Sequence, residues 1–340
     1  MRISKYKLLT SLFVIAGLCL FGSRSLPADE NTKGISYLVS VPVTDLRREP
    51  QLPSLKNASA LPYEADELEE SQLIYGEEVL VFGTKGKWSR VEAVEQLQYF
   101  RRSRWEGYPG WVQTKHLALK PANYKTNAII IKRYAKFFEN DSETSTYKEV
   151  PLGARLPVIA RDGIMVCVRK VGGGKAWVPM NDIRVMAKKI TDENILRDNI
   201  IKTALQFVDE PYFWGGRAGH RPYDKEHPSG VDCSGLVDLA FRANGVNIPR
   251  DAGEQFMKCR QITYPEIKPG DLVFLAKKDD PKKITHVMIF TGGDSAIEAT
   301  MDVNRVRIIT FKEKIGKALK DVSSGQLVGD RYVYMGRILN

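Results

Sequence analysis

The residues with the clearest chemical potential are in the run Val231-Asp232-Cys233-Ser234-Gly235-Leu236. Asp232 is a good helix N-cap, so Cys233 is expected in the first helical turn, where free backbone N–H groups and the helix dipole favour negative charge. That setting predicts a lowered thiol pKa and a reactive thiolate. Ser234 and Gly235 are small and leave the sulfur accessible. A second group, His286 in Thr285-His286-Val287-Met288-Ile289-Phe290, opens an apolar, strand-like run and is the expected base. His116, His220 and His227 lack this framing. No His-Glu-x-x-His or paired-cysteine spacing is present, so neither a metal nor a cofactor is expected.

A helix must present Cys233 and a strand must present His286. From Thr191 the spacing of Ile195, Ile200, Ile201, Ala204 and Leu205 predicts an amphipathic helix, and a second is expected from Asp232 to about Asn244, ended by Gly245. Strand patterns follow at 271–275, 285–291, 296–299, 305–311 and 332–338. Helices followed by antiparallel strands describe an α+β domain over residues 190–340.

Four blocks stand in order in this region: Pro211-Tyr212-Phe213-Trp214-Gly215-Gly216, the Asp232-Cys233 run, Lys268-Pro269-Gly270-Asp271-Leu272-Val273-Phe274, and Thr285 to Phe290. Together they resemble the NlpC/P60 family of papain-like cysteine peptidases over roughly residues 192–338. The resemblance implies Cys233 as nucleophile, His286 as base and Glu298 as the orienting third residue, where most relatives carry His, Asn or Gln. It also places Asp232, Ser234, Tyr212 and Trp214 along the substrate cleft. The stretch from Arg217 to Val231 is longer than in typical relatives.

Upstream, residues 35–185 are short apolar runs broken by Gly, Pro and charged turns, the signature of small all-β units. A pattern recurs: Gly76 to Phe82 leads to Gly110-Trp111-Val112, and Gly153 to Ile159 leads to Ala176-Trp177-Val178. In each copy a glycine opens a turn and a later tryptophan is expected to supply core. The two units resemble bacterial SH3-like domains, predicted at 33–120 and 121–189. The first carries an insertion, Gln96 to Arg102, expected as a short helix or a loop toward the next domain. Relatives that combine such domains with this catalytic type cut the bond between γ-D-glutamate and a diamino acid in wall peptides bearing a free N-terminal L-alanine. The resemblance implies that Asp232 binds that amine and that Glu77 and Tyr108 close the alanine pocket.

The remaining features bound the setting. Arg2, Lys5 and Lys7 precede an apolar run of about 14 residues, Leu8 to Phe21, too short to span a bilayer, and residues 1–28 are expected to be a secretory signal. The full chain of 340 residues carries a formal charge of +10; the signal holds four cations and no acid, leaving +6. Without a motif behind it, this charge favours wall polymers over nucleic acid. Three cysteines remain, an odd count, so at least one thiol is free; Cys167 is expected in a buried strand and Cys259 near a helix end. The sequence therefore predicts a secreted or periplasmic monomer acting on peptidoglycan-derived peptides. The competing possibilities are a weakly active or inactive wall-binding protein, and an amidase acting on another wall bond.

Overall fold

A computed structural model describes residues 33–52, 66–142, 146–186, 190–221 and 228–339. The expected signal, together with Tyr223 and His227, lies outside the described residues. Residues 34–340 form one compact unit containing three β systems.

The first is a seven-stranded sheet in the order Glu69–Ile74, Val43–Arg47, Glu106–Gln113, Trp88–Gln98, Glu78–Lys85, Ile35–Val39, Leu117–Leu119. Alternation along these strands buries Leu46, Leu73, Val79, Val91 and Val112 in its core. The expected insertion begins as strand: Gln96 to Gln98 continue Trp88–Gln98. The chain then turns toward the helices, where the Tyr99 and Phe100 N–H groups donate to Glu254.

The second combines a five-stranded and a three-stranded sheet around Phe137, Val150, Leu156, Val166 and Val178. Gly76 and Gly153, the two repeat glycines, adopt φ +82° and +87°, where a Cβ is disfavoured. A Cβ on Gly76 would also stand 2.9 Å from the Arg155 carbonyl oxygen. The adjacent Tyr75 crosses into the second core, edge-on to Phe137 at 5.7 Å, and its hydroxyl accepts the Val171 N–H at 2.8 Å. The tryptophans differ from expectation. Trp111 is buried and Trp177 half-buried, but neither belongs to the core of its sheet, built around Val79 and Val112 in the first and Phe137 and Val178 in the second.

The third system carries the helices. Helix α1 (Glu193–Leu205) is capped by Asp192, whose side chain accepts the Asn194 and Ile195 N–H groups. Helix α2 (Cys233–Arg242) and helix α3 (Ala252–Lys258) follow, with Cys259 as the C-cap of α3. An antiparallel sheet then runs Arg260–Gln261, Arg331–Arg337, Leu272–Lys277, Ile284–Gly292, Ser295–Thr300, Arg305–Thr310, with Gln326–Val328 beside Arg331–Arg337. The predicted last residue of the 305–311 strand, Phe311, instead begins helix α4 (Phe311–Ile315). A capping box at Thr310 and Glu313 ends the strand there.

Every residue of α2 after Cys233 is buried, including Asp238 and Arg242. Arg242 is met by the β systems upstream, and Asp238 by Arg217, which itself reaches them. Arg217 lies between Glu77 (3.0 Å) and Asp238 (2.6 Å), while Arg242 reaches Glu95 (2.9 Å) and the Gly153 carbonyl oxygen (2.9 Å). The helix that presents Cys233 is thus locked to the N-terminal β systems through buried ion pairs, whose value lies in each charge having its partner.

Candidate active site

The start of α2 is built around Asp232. Its Oδ1 accepts the Gly235 N–H at 2.6 Å, the capping bond expected from the sequence, and the Ser234 hydroxyl at 3.2 Å. Its Oδ2 accepts the Gly215 N–H at 3.0 Å, which joins the Trp-Gly-Gly block to the helix. A Cβ on Gly235 would collide with the Gly216 carbonyl oxygen, so the two blocks meet through glycine. Arg250, buried, completes the carboxylate with bonds of 2.8 and 3.2 Å and reaches on to the hydroxyls of Ser234 (2.9 Å) and Ser71 (2.8 Å). Both oxygens of Asp232 are therefore partnered, and Arg250 balances its charge. Arg250 had no signal in the sequence, since its importance comes from contacts spread over the whole chain.

Cys233 is half-buried at the first helical position, beside the Val287 and Ser234 N–H groups. Burial pushes its thiol up, and the neighbouring Asp232 carboxylate adds to the effect. These outweigh the two N–H groups and bring the thiol to about 12. The expectation of a lowered pKa is overturned: the residue that caps the helix also places a negative charge beside the sulfur. The resting group is a protonated thiol, so attack requires a base to take its proton.

His286 and Glu298 meet across adjacent strands. Ile289 stands opposite Ile297, and continuing that register puts Glu298 one diagonal step from His286. The His286 Nε2 lies 2.6 Å from Glu298 Oε2, which leaves Nδ1 for another partner. Glu298 has no exposed surface. Burial opposes its charge, but the hydrogen bonds and charges of His286 and Lys314 outweigh burial and hold the carboxyl down to about 2. Arg307, its register partner on Arg305–Thr310, binds Oε1 at 2.9 Å, and Lys314 of α4 binds Oε2 at 3.0 Å. Neither cation was apparent in the sequence, where each is one of many basic residues.

The other expected residues fall into two groups. Tyr212 is buried near Asp232 and Cys233; burial first, then the neighbouring Asp232 carboxylate, pushes its phenol up, so it stays protonated as a donor. Trp214 is half exposed and Ser234 is held by Arg250 and Asp232. Tyr108 donates to Asp251 at 2.9 Å and lies 3.5 Å from Glu70, so it brings the first sheet to the segment after α2. Glu77 is elsewhere: it is 1% exposed, and its carboxylate is taken by Arg217, Gln96 and the Ile74 N–H. It serves the interface with α2, and the acids beside Tyr108 are Glu70 and Asp251.

His116 is buried against Thr44, and the His220 ring faces the Ser229 carbonyl. Cys167 and Cys259 are free thiols raised chiefly by burial. Among the described residues no group of three or more His, Cys, Asp or Glu is placed to hold a metal, and no helix is long and apolar enough to cross a membrane.

Residues 209–321, which span the half-buried cysteine and the His286–Glu298 pair, match the NlpC/P60 family. A γ-D-glutamyl-L-lysine dipeptidyl-peptidase of Bacillus subtilis is 31% identical over 253 residues, covering 74% of this chain and 78% of the relative. This chain belongs to the NlpC/P60 family. It is accordingly a cysteine peptidase by kind. A Bacillus cereus protein of the same name is 31% identical over 244 residues, covering 71% of this NlpC/P60 chain and 70% of that one. The fold extends beyond the family segment: a solved NlpC/P60 protein from Bacillus cereus superposes with a TM-score of 0.71 at 24% identity, covering 90% of this chain and 100% of its own.

Proposed function

We propose that this peptidase is a secreted hydrolase of peptidoglycan-derived peptides that cuts the γ-D-glutamyl–diamino acid bond of fragments with a free N-terminal L-alanine. The observation that carries the free-amine reading is the bond from Tyr108 of the first sheet to Asp251, beside Glu70, whose carboxylate is shared with Arg48 and Arg101. Arg250 links this group to Asp232, next to Cys233, with Asp251 at 3.7 Å and Asp232 at 2.8 Å. An ammonium gains a charge-assisted hydrogen bond there, and that contact fixes the distance from the peptide's first residue to the sulfur. The names of the Bacillus relatives support the same bond. The two N-terminal β systems are read as the SH3-like modules of this enzyme type.

In this scheme Cys233 is the nucleophile and His286 the base. His286 takes the thiol proton as the sulfur attacks the γ-glutamyl carbonyl carbon, and the oxygen's new charge is received by the Cys233 N–H and the Tyr212 hydroxyl. The imidazolium then gives its proton to the departing diamino acid amine, leaving a thioester. Water, deprotonated by His286, hydrolyses the thioester and restores the thiol. Glu298 holds the imidazole through Nε2 during both proton transfers. Trp214 and Ser234 line the bound peptide.

The test is a pair of substrates, L-Ala-γ-D-Glu-diaminopimelate and its N-acetylated form. Cleavage of the free amine alone is expected; equal cutting of both contradicts the amine site.

A further inference from the structure

A buried carboxylate beside a catalytic base poses a problem that a neutral amide does not. Its charge must be compensated, and left bare it would hold the imidazole in its protonated form and remove the base. The environment of Glu298 is built for that compensation. Its four polar contacts are shared between two oxygens: Arg307 Nε and Nη2 at 2.9 Å each on Oε1, and His286 Nε2 (2.6 Å) with Lys314 Nζ (3.0 Å) on Oε2. His286 comes from Ile284–Gly292, Arg307 from Arg305–Thr310 and Lys314 from α4, while α2, packed on both Ile284–Gly292 and Ser295–Thr300, brings the Cys233 thiol to the Val287 backbone. Lys314 also holds Asp302, at 2.7 Å, in the turn after Ser295–Thr300. Arg331 stands one residue away from the pair, 3.3 Å from the Thr285 hydroxyl. With His286 neutral, the two carboxylates and the two cations that touch them sum to zero.

We propose that Arg307 and Lys314 are positioning residues for the His286–Glu298 pair: they fix the carboxylate in a neutralised cage, so that the glutamate orients His286 without locking the proton onto it. This rests on His286 being the base. The sequence offers a rationale for the arrangement, since a glutamate here needs two cations that a neutral acceptor would not require. Lys314 does part of the work from α4, whose capping box at Thr310–Glu313 sets where the helix begins.

The sign of the effect follows from charge alone. Removing either cation leaves net negative charge beside the imidazole, so the pair takes up its proton at higher pH. For Lys314→Met and Arg307→Gln, the acidic limb of the kcat/KM profile is expected to move up by about one unit, a loss of about tenfold on the acid side that shrinks toward the plateau at higher pH. Lys314→Arg, which retains the charge, is expected to leave the limb in place. Arg307 is the more exposed of the two, and its variant carries the test if Lys314→Met does not fold.

NMR titration of the His286 imidazole in the same variants reads the shift without any turnover, so it remains informative if the substrate assignment fails. An upward shift in Arg307→Gln and Lys314→Met, restored in Lys314→Arg, supports the proposal. An unmoved or lowered midpoint, or equal shifts in Lys314→Met and Lys314→Arg, overturns it.

Discussion

Arg250 Nη2 lies 2.8 Å from Asp232 Oδ2, and both residues are buried. This pair decides how the start of α2 behaves. The aspartate caps the helix, while the arginine neutralises it and ties it to Ser71 in the first sheet.

Arg250→Met is therefore expected to leave an unpaired buried carboxylate beside Cys233 and to cost about 3–5 kcal/mol of stability. Arg250→Lys should recover little, because one ammonium cannot replace a fork that reaches Asp232, Ser234 and Ser71. Urea unfolding of the three proteins measures this. A loss below about 1 kcal/mol in Arg250→Met, the scale of an exposed pair, would contradict it.

The raised thiol pKa makes a kinetic prediction. With Cys233 at about 12, its alkylation by iodoacetamide in the free protein should rise about tenfold per pH unit from pH 7 to 9. Asp232→Asn keeps a capping side chain and removes the charge, so the thiol pKa falls and labelling at pH 8 should speed up. Peptide mapping separates Cys233 from Cys167 and Cys259. Labelling that is already on a plateau at pH 7 would mean a preformed thiolate.

For Glu77 the expected defect is in folding. Glu77→Ala strips Arg217 of a partner at 3.0 Å within a buried cluster, an expected loss of about 3 kcal/mol in thermal or chemical unfolding. In the protein that remains folded, KM for a free-amine peptide should stay within about twofold of wild type, since that carboxylate faces Arg217 and Gln96. A large KM increase without loss of stability would return Glu77 to the substrate pocket.

Asp251→Asn and Tyr108→Phe carry the opposite prediction. Each should raise KM for L-Ala-γ-D-Glu-diaminopimelate by about tenfold, the worth of one charged hydrogen bond, with kcat changed less. Steady-state kinetics on both peptides, free and acetylated, checks it. A fall in kcat at constant KM would place these residues outside amine recognition.

How much of this was legible in the sequence follows the range of the interactions. Asp232 as cap, Cys233 at the first helical position and the strands around His286 are set by a few neighbouring residues, and local pattern reveals them. Glu298 was within reach because strand pairing brings it to His286 after a short turn. Glu77 was misplaced because its partner Arg217 is 140 residues away, and a Tyr-Gly-Glu turn carries no mark of which side faces a ligand. The raised thiol escapes the local sequence for a related reason. A helix start favours the thiolate, but burial and the charge of the capping residue are stronger at this position, and burial is a property of the assembled fold. Neither repeat tryptophan joins its core, because other residues, Val79 and Val112 in the first and Phe137 and Val178 in the second, build it.

In the proposed reaction Cys233 forms the thioester through which the γ-glutamyl bond is cut. Its most direct test is mass analysis of L-Ala-γ-D-Glu-diaminopimelate incubated with wild-type protein and with Cys233→Ala, whose folding is verified by circular dichroism. Release of diaminopimelate and L-Ala-D-Glu is expected from the wild type and none above background from the folded variant; product release by Cys233→Ala at a comparable rate would rule out Cys233 as the nucleophile.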